Sequence, residues 1–375
     1  MKYRKFGDQD WEVSALGFGA MRFPTDEDGN IKLEKAIEMM RYAFDQGVNY
    51  VDTAWPYHGG KSELVVAKAL KDGYRKKVKV ATKLPSWKVD EYSDMDKYLD
   101  KQLEKLEVDK IDFYLLHALN EDRWEKYKEL DVFSWIEKVK NEGKIEHIGF
   151  SFHDEYEVFK EIIDDYKEGW EFCQIQYNYL DTEYQAGKKG LKYAYNNDIP
   201  VIVMEPLQGG QLAQNPPEKV KKIMQEAEIE RTPADWALQW LWNQKEVTMV
   251  LSGMSNMQQI KENIKSADNS GIDSLTAKEL KIVKRLAKNF RGPIQCTKCR
   301  YCMPCPTGVD IPRNFALYND AKLYDDFENK KDDYFDLDEE KRASACVSCG
   351  QCEEACPQNL EIIDLMEKVT GYFEK

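Results

Sequence analysis

Between residues 10 and 265 short apolar runs alternate with helical patterns, and the alternation repeats eight times. The runs are 16–19, 48–51, 78–82, 111–116, 146–150, 172–176, 201–203 and 248–251. Several are continuously apolar, the pattern of parallel strands buried on both faces. Parallel neighbours need a crossover, and the intervening segments supply one. Leu33, Ile37, Met40 and Phe44 share one helical face, as do Leu99, Leu103 and Leu106. Gly47, Gly73 and Gly143 stand where helices should stop. Eight βα units in about 250 residues predict an α/β fold of the closed (β/α)8 TIM-barrel type. The rival, an open doubly wound sheet, usually begins with a phosphate-binding glycine run, and GFGAMR at 17–22 is not a G-x-G-x-x-G.

After residue 270 the alternation stops. Leu280, Val283, Ala287 and Phe290 stripe a capping helix, and two cysteine runs follow. One is Cys296, Cys299, Cys302 and Cys305, before Pro306; the other is Cys346, Cys349, Cys352 and Cys356, before Pro357. They hold eight of the nine cysteines, so the composition is a ligand set. The second run has the C-x2-C-x2-C-x3-C-P spacing that ligates [4Fe–4S] clusters. The first is one residue shorter before its last cysteine. In two-cluster ferredoxins the fourth cysteine of each run binds the other cluster. Transferred here, Cys356 joins Cys296, Cys299 and Cys302, while Cys305 joins Cys346, Cys349 and Cys352. A ligand reaching across tolerates a shorter spacer, so two clusters are expected. Tetrahedral zinc on four thiolates is the alternative, although it favours paired C-x2-C knuckles with a longer gap. The expected organisation is a barrel over 1–290 and a small, mostly helical, ferredoxin-like iron–sulfur domain over 291–375. The acidic stretch 320–342 reads as a solvated helix pair or loop joining the runs, with a docking surface for a basic redox partner as the other reading.

A formal charge of −14 disfavours nucleic acid and anionic membrane surfaces as partners. No 18-residue apolar run occurs, and the opening MKYRKFGDQDWEV has no leader pattern. The first 295 residues contain only Cys173, which argues against a disulfide scaffold and for a reducing compartment, so a cytoplasmic location is expected.

Polar residues gather where the strands should end: Asp52, Lys83, His117 and Ser151. In a barrel these are neighbouring C-terminal strand ends, where active sites are built. The other histidines have plainer readings. His147 lies inside a strand and His153 in the loop after it, both structural; His58 adjoins Tyr57. Cys173 reads as a small buried apolar residue.

These residues carry a resemblance. Asp52 followed by TAWP and Tyr57, Lys83 in VATKL, and His117 in YLLH resemble the Asp, Tyr, Lys and His tetrad of the aldo/keto reductases. The likeness runs over roughly 3–270, continuing through GFS at 149–151, QIQYN at 174–178 and ENI at 262–264. The cysteine-bearing tail resembles that of the subgroup with a C-terminal [4Fe–4S] ferredoxin-type domain. The resemblance implies that Tyr57 protonates a carbonyl oxygen and that His117 orients the carbonyl. A phenol ordinarily ionises near pH 10, and a close ammonium favours its phenolate; that is the role implied for Lys83, with Asp52 holding it. Ser151, Gln174, Met204, Gly253 and Asn263 match positions that hold a nicotinamide cofactor.

The pattern is broken in three ways. Met204 stands where many relatives have a stacking aromatic, and Phe152 where Asn is common. Gly253 and Gln259 stand where relatives selective for the 2′-phosphate of NADPH carry Lys and Arg. NAD(H) is therefore expected before NADPH, and flavin stays open. A hydride carries two electrons and each cluster passes one, a mismatch that flavin usually bridges. The sequence reads as an iron–sulfur oxidoreductase acting on a carbonyl-type small molecule, or in reverse, with a ferredoxin or flavoprotein as electron partner. Two other arrangements stay open: an NADH-dependent carbonyl reductase with structural or sensing clusters, and an electron-transfer subunit with a non-catalytic barrel. Trp87 and Trp124, on loops 85–96 and 118–132, are expected pocket walls, with 208–232 a third long loop over the barrel.

Overall fold

The structure is a computed structural model that describes residues Met1–Lys375. Two short strands, β1 (Tyr3–Lys5) and β2 (Glu12–Ser14), form an antiparallel hairpin absent from the sequence reading. Eight parallel strands follow: β3 (Leu16–Gly19), β4 (Tyr50–Asp52), β5 (Lys79–Leu84), β6 (Ile111–Leu119), β7 (Ile145–Phe152), β8 (Phe172–Gln176), β9 (Val201–Met204) and β10 (Met249–Gly253). They pair in chain order and close, Val250 of β10 lying opposite Leu16 of β3. The expected TIM barrel is present.

Every expected strand exists, but the C-terminal ends run further than the apolar runs. Asp52, Lys83, His117 and Ser151 lie inside strands instead of after them. The ladder explains this: Lys83 pairs with Leu115, and Ser151 with Gln174. A polar side chain leaves the backbone pairing intact as long as its own polar atoms are satisfied within the barrel. At the opposite end the hairpin acts as a plug. Its turn places Phe6, fully buried, 5.0 Å from the Phe113 ring among Tyr50, Phe172, Ile202 and Met249.

The crossover helices follow the expected faces. Leu33–Asp45 buries Ala36, Met39, Met40, Ala43 and Phe44, and ends before Gly47 at φ 96°, a left-handed position suited to glycine. Tyr92–Leu106 buries Leu99 and Leu106, while Leu103 is half-buried. Segment 118–132 differs from its reading as a loop. Asn120 accepts a hydrogen bond from the Arg123 amide and so caps a helix over Glu121–Glu129. That helix turns Trp124 inward, 1 % exposed, where its Nε1 donates to Asp165 Oδ2 at 2.9 Å. Trp124 is a core residue and not a pocket wall.

The residues group into two compact units, Met1–Pro206 with Ala234–Thr276, and Leu207–Pro233 with Ala277–Lys375. The first contains the barrel strands. The second contains segment 207–233, which the sequence placed among the barrel loops. Arg231 and Glu279 tie it to helix Ala277–Asn289 at 3.0 Å, and Gln211 Nε2 donates to the Phe290 carbonyl at 2.8 Å. That helix buries Ile282, Val283 and Leu286 and is followed by buried Phe290. Leu280 and Ala287 flank this stripe half-buried, so the face is rotated from the one expected. The acidic stretch lies largely in two helices, Ile311–Tyr324 and Phe327–Phe335, the former capped by Asp310 accepting from the Arg313 amide. With Ile362–Phe373 they enclose a core of Phe315, Tyr334, Met366, Val369 and Phe373, against which six of the eight paired cysteines pack. No helix is long and apolar enough to cross a membrane.

Candidate active site and cysteine cavities

The barrel mouth is organised around a buried ammonium. Lys83 Nζ donates to Asp52 Oδ1 at 2.6 Å and to the Thr53 carbonyl at 2.9 Å, and stands 3.5 Å from the Tyr57 hydroxyl. Lys83 and Asp52 are each 1 % exposed. Burial disfavours both charges, lowering Lys83 from the usual ammonium range and raising Asp52 from the usual carboxylate range; their mutual contact opposes both shifts. Tyr57 follows β4 in a short helical turn whose backbone passes through left-handed conformations at His58 and Gly59, a path that aims the phenol back over Lys83.

His117 completes the group through a defect in β6. The β6–β7 register shifts between Leu116 and Leu119, and Ala118 takes φ 54°. Such a bulge re-aims a side chain at the end of a strand. Hydrogen bonds hold it in place: Ser151 Oγ accepts from the Ala118 amide at 2.7 Å, and Ser86 Oγ donates to the His117 carbonyl at 2.7 Å. The His117 ring lies 6.3 Å from Tyr57 and 5.0 Å from Trp87. Burial, with help from the Lys83 charge, keeps His117 well below the usual imidazole range, hence neutral at pH 7.

The structure brings the four candidate acid–base residues together. The five candidate cofactor residues divide. Ser151 and Gln174 are buried and directly paired across β7 and β8, and Gln174 Oε1 has no hydrogen-bond partner. A buried unsatisfied acceptor is costly unless a ligand supplies the donor, and a nicotinamide carboxamide N–H fits that requirement. Met204 ends β9 half-buried. Gly253 ends β10 exposed, while buried Asn263 donates to Ser252 Oγ at 3.1 Å and so braces that strand.

Sequence reasoning missed two features. A polar network lies behind Lys83: Gln102 Nε2 donates to the Lys83 carbonyl at 3.0 Å and to Glu63 Oε1 at 2.7 Å, and Thr82 Oγ1 donates to the same oxygen at 2.8 Å. The signal was Gln102 sitting on the apolar stripe of its helix. The second is Arg22, whose side chain covers Gly253. It brings a cation from the loop after β3 to a place where strand position alone suggested none. The remaining histidines are structural. His58 Nε2 accepts from the Phe23 amide at 3.1 Å, and His147 Nδ1 contacts Glu171 at 2.7 Å. Cys173 is fully buried.

In the second unit the paired cysteines ring two cavities. One is lined by Cys296, Cys299, Cys302 and Cys356. The other is lined by Cys305, Cys346, Cys349 and Cys352, with Cys302 on the shared wall. The lining groups the cysteines in the way that sharing of the fourth cysteine between runs would. No three His, Cys, Asp or Glu side chains stand close enough to share one metal ion. Burial and the neighbouring thiols push Cys302 up to about 12, so coordination to a cationic centre is what would ionise it at neutral pH. Burial alone would raise Cys305, but hydrogen bonds from the Thr307 hydroxyl and the amides of Thr307, Gly308 and Val309 bring it below its ordinary value. The donor set fits iron–sulfur clusters.

A (β/α)8 barrel with a lysine-backed phenol at its mouth, followed by a cysteine-rich helical unit, defines an oxidoreductase. Residues 15–287 match the model of the aldo/keto reductase family, and residues 295–361 match that of the 4Fe-4S dicluster domain. The chain belongs to the aldo/keto reductase family and carries a 4Fe-4S domain C-terminal to the family region. It is 28 % identical to L-galactose dehydrogenase of Arabidopsis thaliana over 78 % of this chain and 97 % of that one. It resembles the holo form of aldo-keto reductase AKR11C1 from Bacillus halodurans with a TM-score of 0.62 at 27 % identity, covering 76 % of this chain and 96 % of that one. An aldo-keto reductase from Klebsiella pneumoniae, solved in complex with NADPH, shares the fold with a TM-score of 0.62 at 23 % identity, over 76 % and 95 % of the two chains.

Proposed function

We propose that this protein is an iron–sulfur oxidoreductase that interconverts a carbonyl and an alcohol on a small molecule at Asp52, Tyr57, Lys83 and His117. Two [4Fe–4S] clusters on the eight paired cysteines would exchange electrons with an external carrier. The observation that carries this reading is the buried Lys83 ammonium, 2.6 Å from Asp52 and 3.5 Å from the Tyr57 hydroxyl. The division of labour runs along the chain, carbonyl chemistry over residues 1–290 and electron chemistry over 291–375.

The residues divide the work as follows. Neutral His117 donates a hydrogen bond to the substrate oxygen and fixes the carbonyl beneath Trp87. Tyr57 donates its proton to that oxygen as negative charge develops there, and Lys83 stabilises the phenolate left behind. Asp52 keeps Lys83 charged in a site where burial would otherwise neutralise it. Ser151 and Gln174 would hold a nicotinamide through its carboxamide; Gly253 and Gln259 favour NAD(H), while Arg22 beside Gly253 is the cation that speaks for NADPH. When bound, a nicotinamide or flavin supplies the hydride at the carbonyl carbon, and clusters supply electrons singly. A ferredoxin or flavoprotein is the proposed partner on the one-electron side.

The test is Tyr57→Phe in protein purified without air, with NADH oxidation followed against a panel of aldehydes and ketones. The phenol hydroxyl stands 3.5 Å from Lys83 Nζ, a long contact, so the variant should melt within about 1 kcal/mol of wild type. Its turnover should fall by roughly 10²–10⁴. Wild-type turnover in Tyr57→Phe would overturn the assignment.

A further inference from the structure

The two cysteine loops are built on one backbone plan and differ in charge. Counting from the first cysteine of each run, the second and fourth residues after it are left-handed in both. These are Lys298 (φ 56°) and Arg300 (φ 66°) in the first loop, and Ser348 (φ 56°) and Gly350 (φ 80°) in the second. Left-handed backbone suits glycine and strains a residue with a Cβ. The second loop relieves that strain at the fourth position with Gly350; the first loop accepts it to seat an arginine. Arg300 stands in the wall of the cavity lined by Cys296, Cys299, Cys302 and Cys356. The cavity lined by Cys305, Cys346, Cys349 and Cys352 has no charged residue in its wall.

Other features of the two sites largely cancel. Backbone amides after the terminal Cys-Pro pair donate to Cys305 from Thr307, Gly308 and Val309, and to Cys356 from Gln358, Asn359 and Leu360. Glu353 acts on a thiol of each site, Cys352 and Cys356. Two carboxylates temper the first loop: Asp310 lies 3.6 Å from Arg300, and Asp320 feels Lys298 and Arg313. That leaves the cations of the first loop facing two acids, against a second loop with none of its own. An added electron makes a cluster more negative, so a nearby cation favours the reduced form, and cluster charge environment is a known lever on potential.

We infer that Lys298 and Arg300 hold the cluster at Cys296, Cys299, Cys302 and Cys356 at a higher reduction potential than the cluster at the other four cysteines. The inference rests on the two-cluster reading above. An electron arriving at the second cluster then passes to the first: the second is oxidised, the first reduced, and no bond or proton changes hands. Lys298 donates through its backbone amide to Cys296 Sγ at 3.4 Å, a contact that its substitution leaves in place; the role assigned to the two side chains is charge, so they are tuning residues.

The test is an anaerobic redox titration with dithionite, followed by EPR, on the full chain. The variants are Lys298→Ser with Arg300→Gly, and the reciprocal Ser348→Lys with Gly350→Arg. Wild type should reduce in two separable steps. The first pair should move the higher step down by about 59 mV or more, a tenfold change in electron distribution for a one-electron couple. The reciprocal pair should move the lower step up. Lys298→Gln with Arg300→Gln, which keeps side-chain bulk, should repeat the downward shift should the first variant fail to assemble. Two steps that stay put in variants with wild-type iron and sulfide overturn the tuning role. Wild-type protein without iron and sulfide overturns the two-cluster reading instead.

Discussion

Replacing Lys83 by methionine tests the architecture of the barrel mouth. The substitution keeps the length of the stem and removes the ammonium. Asp52 Oδ1 loses a 2.6 Å charged partner, the Thr53 carbonyl loses a 2.9 Å donor, and Asp52 Oδ2 has no hydrogen-bond partner to begin with. Breaking a buried pair by removing one member costs about 3–5 kcal/mol, because the remaining charge is stranded. For a unit of this size about 2–4 °C of melting temperature corresponds to each kcal/mol, so Lys83→Met should melt roughly 6–20 °C below wild type at pH 8. The pH dependence has a definite sign. Burial already raises Asp52, and losing Lys83 raises it further. A carboxyl with a raised folded-state pKa contributes stability while it is protonated and loses it as pH rises through that value. The deficit of Lys83→Met should therefore shrink between pH 8 and pH 5. Asp52→Asn added to Lys83→Met should recover most of the loss, since removing both members of a buried pair is close to neutral. Calorimetry at the two pH values reads all of this. A deficit under about 1 kcal/mol, or a double variant no more stable than the single, would refute a buried charged pair.

Three further outcomes follow from particular contacts. His153 is partly buried, donates through Nδ1 to Gln185 Oε1 at 3.3 Å, and is lowered to about 4 by desolvation. Its stabilising contribution is present above the unfolded value of 6.5 and is lost as pH falls toward 4, about 2 kcal/mol given its partial exposure. His153→Gln should flatten the acid limb of the stability curve by that amount, and an unchanged limb counts against the assignment. Trp124→Phe should lose the hydrogen bond to Asp165 and about 1–2 kcal/mol of stability with turnover within twofold, whereas Trp87→Ala should raise KM at little cost in stability. Gly209→Ala should lower the iron content and melting temperature of the second unit, because φ is +61° and a Cβ there would stand 2.2 Å from the Thr297 carbonyl, one residue past Cys296. Wild-type iron loading in that variant would show the close approach to be dispensable.

The barrel was readable because its strands are apolar runs of the right length and its helices stop at glycines with positive φ; Gly47, Gly73 and Gly143 all have it. Asp52, Lys83 and His117 stood out by their places at the strand ends, whereas Tyr57 was singled out only through the family resemblance. What the sequence hid depends on long-range pairing. The bulge that aims His117 arises from the β6–β7 register and from Ser86 and Ser151 hydroxyls far apart in sequence. Trp124 looked like a loop residue until Asn120 capped a helix beneath it. The hairpin plug is too short to show a period, and Arg22 reaches Gly253 from the other end of the barrel region. Segment 207–233 carries no compositional mark of the unit it joins; its ties are single pairs such as Arg231 with Glu279.

The most direct test of electron sharing between the phenol site and the clusters starts from dithionite-reduced, desalted holoprotein kept free of air. An aldehyde from the panel is added with NAD⁺ and FMN as two-electron carriers, and visible absorbance and alcohol are followed together. The account predicts that cluster absorbance returns in step with alcohol, two cluster electrons for each molecule formed, and that Tyr57→Phe slows both by roughly 10² or more. Loaded clusters that stay reduced in this mixture, while a parallel sample given NADH accumulates alcohol, would contradict it.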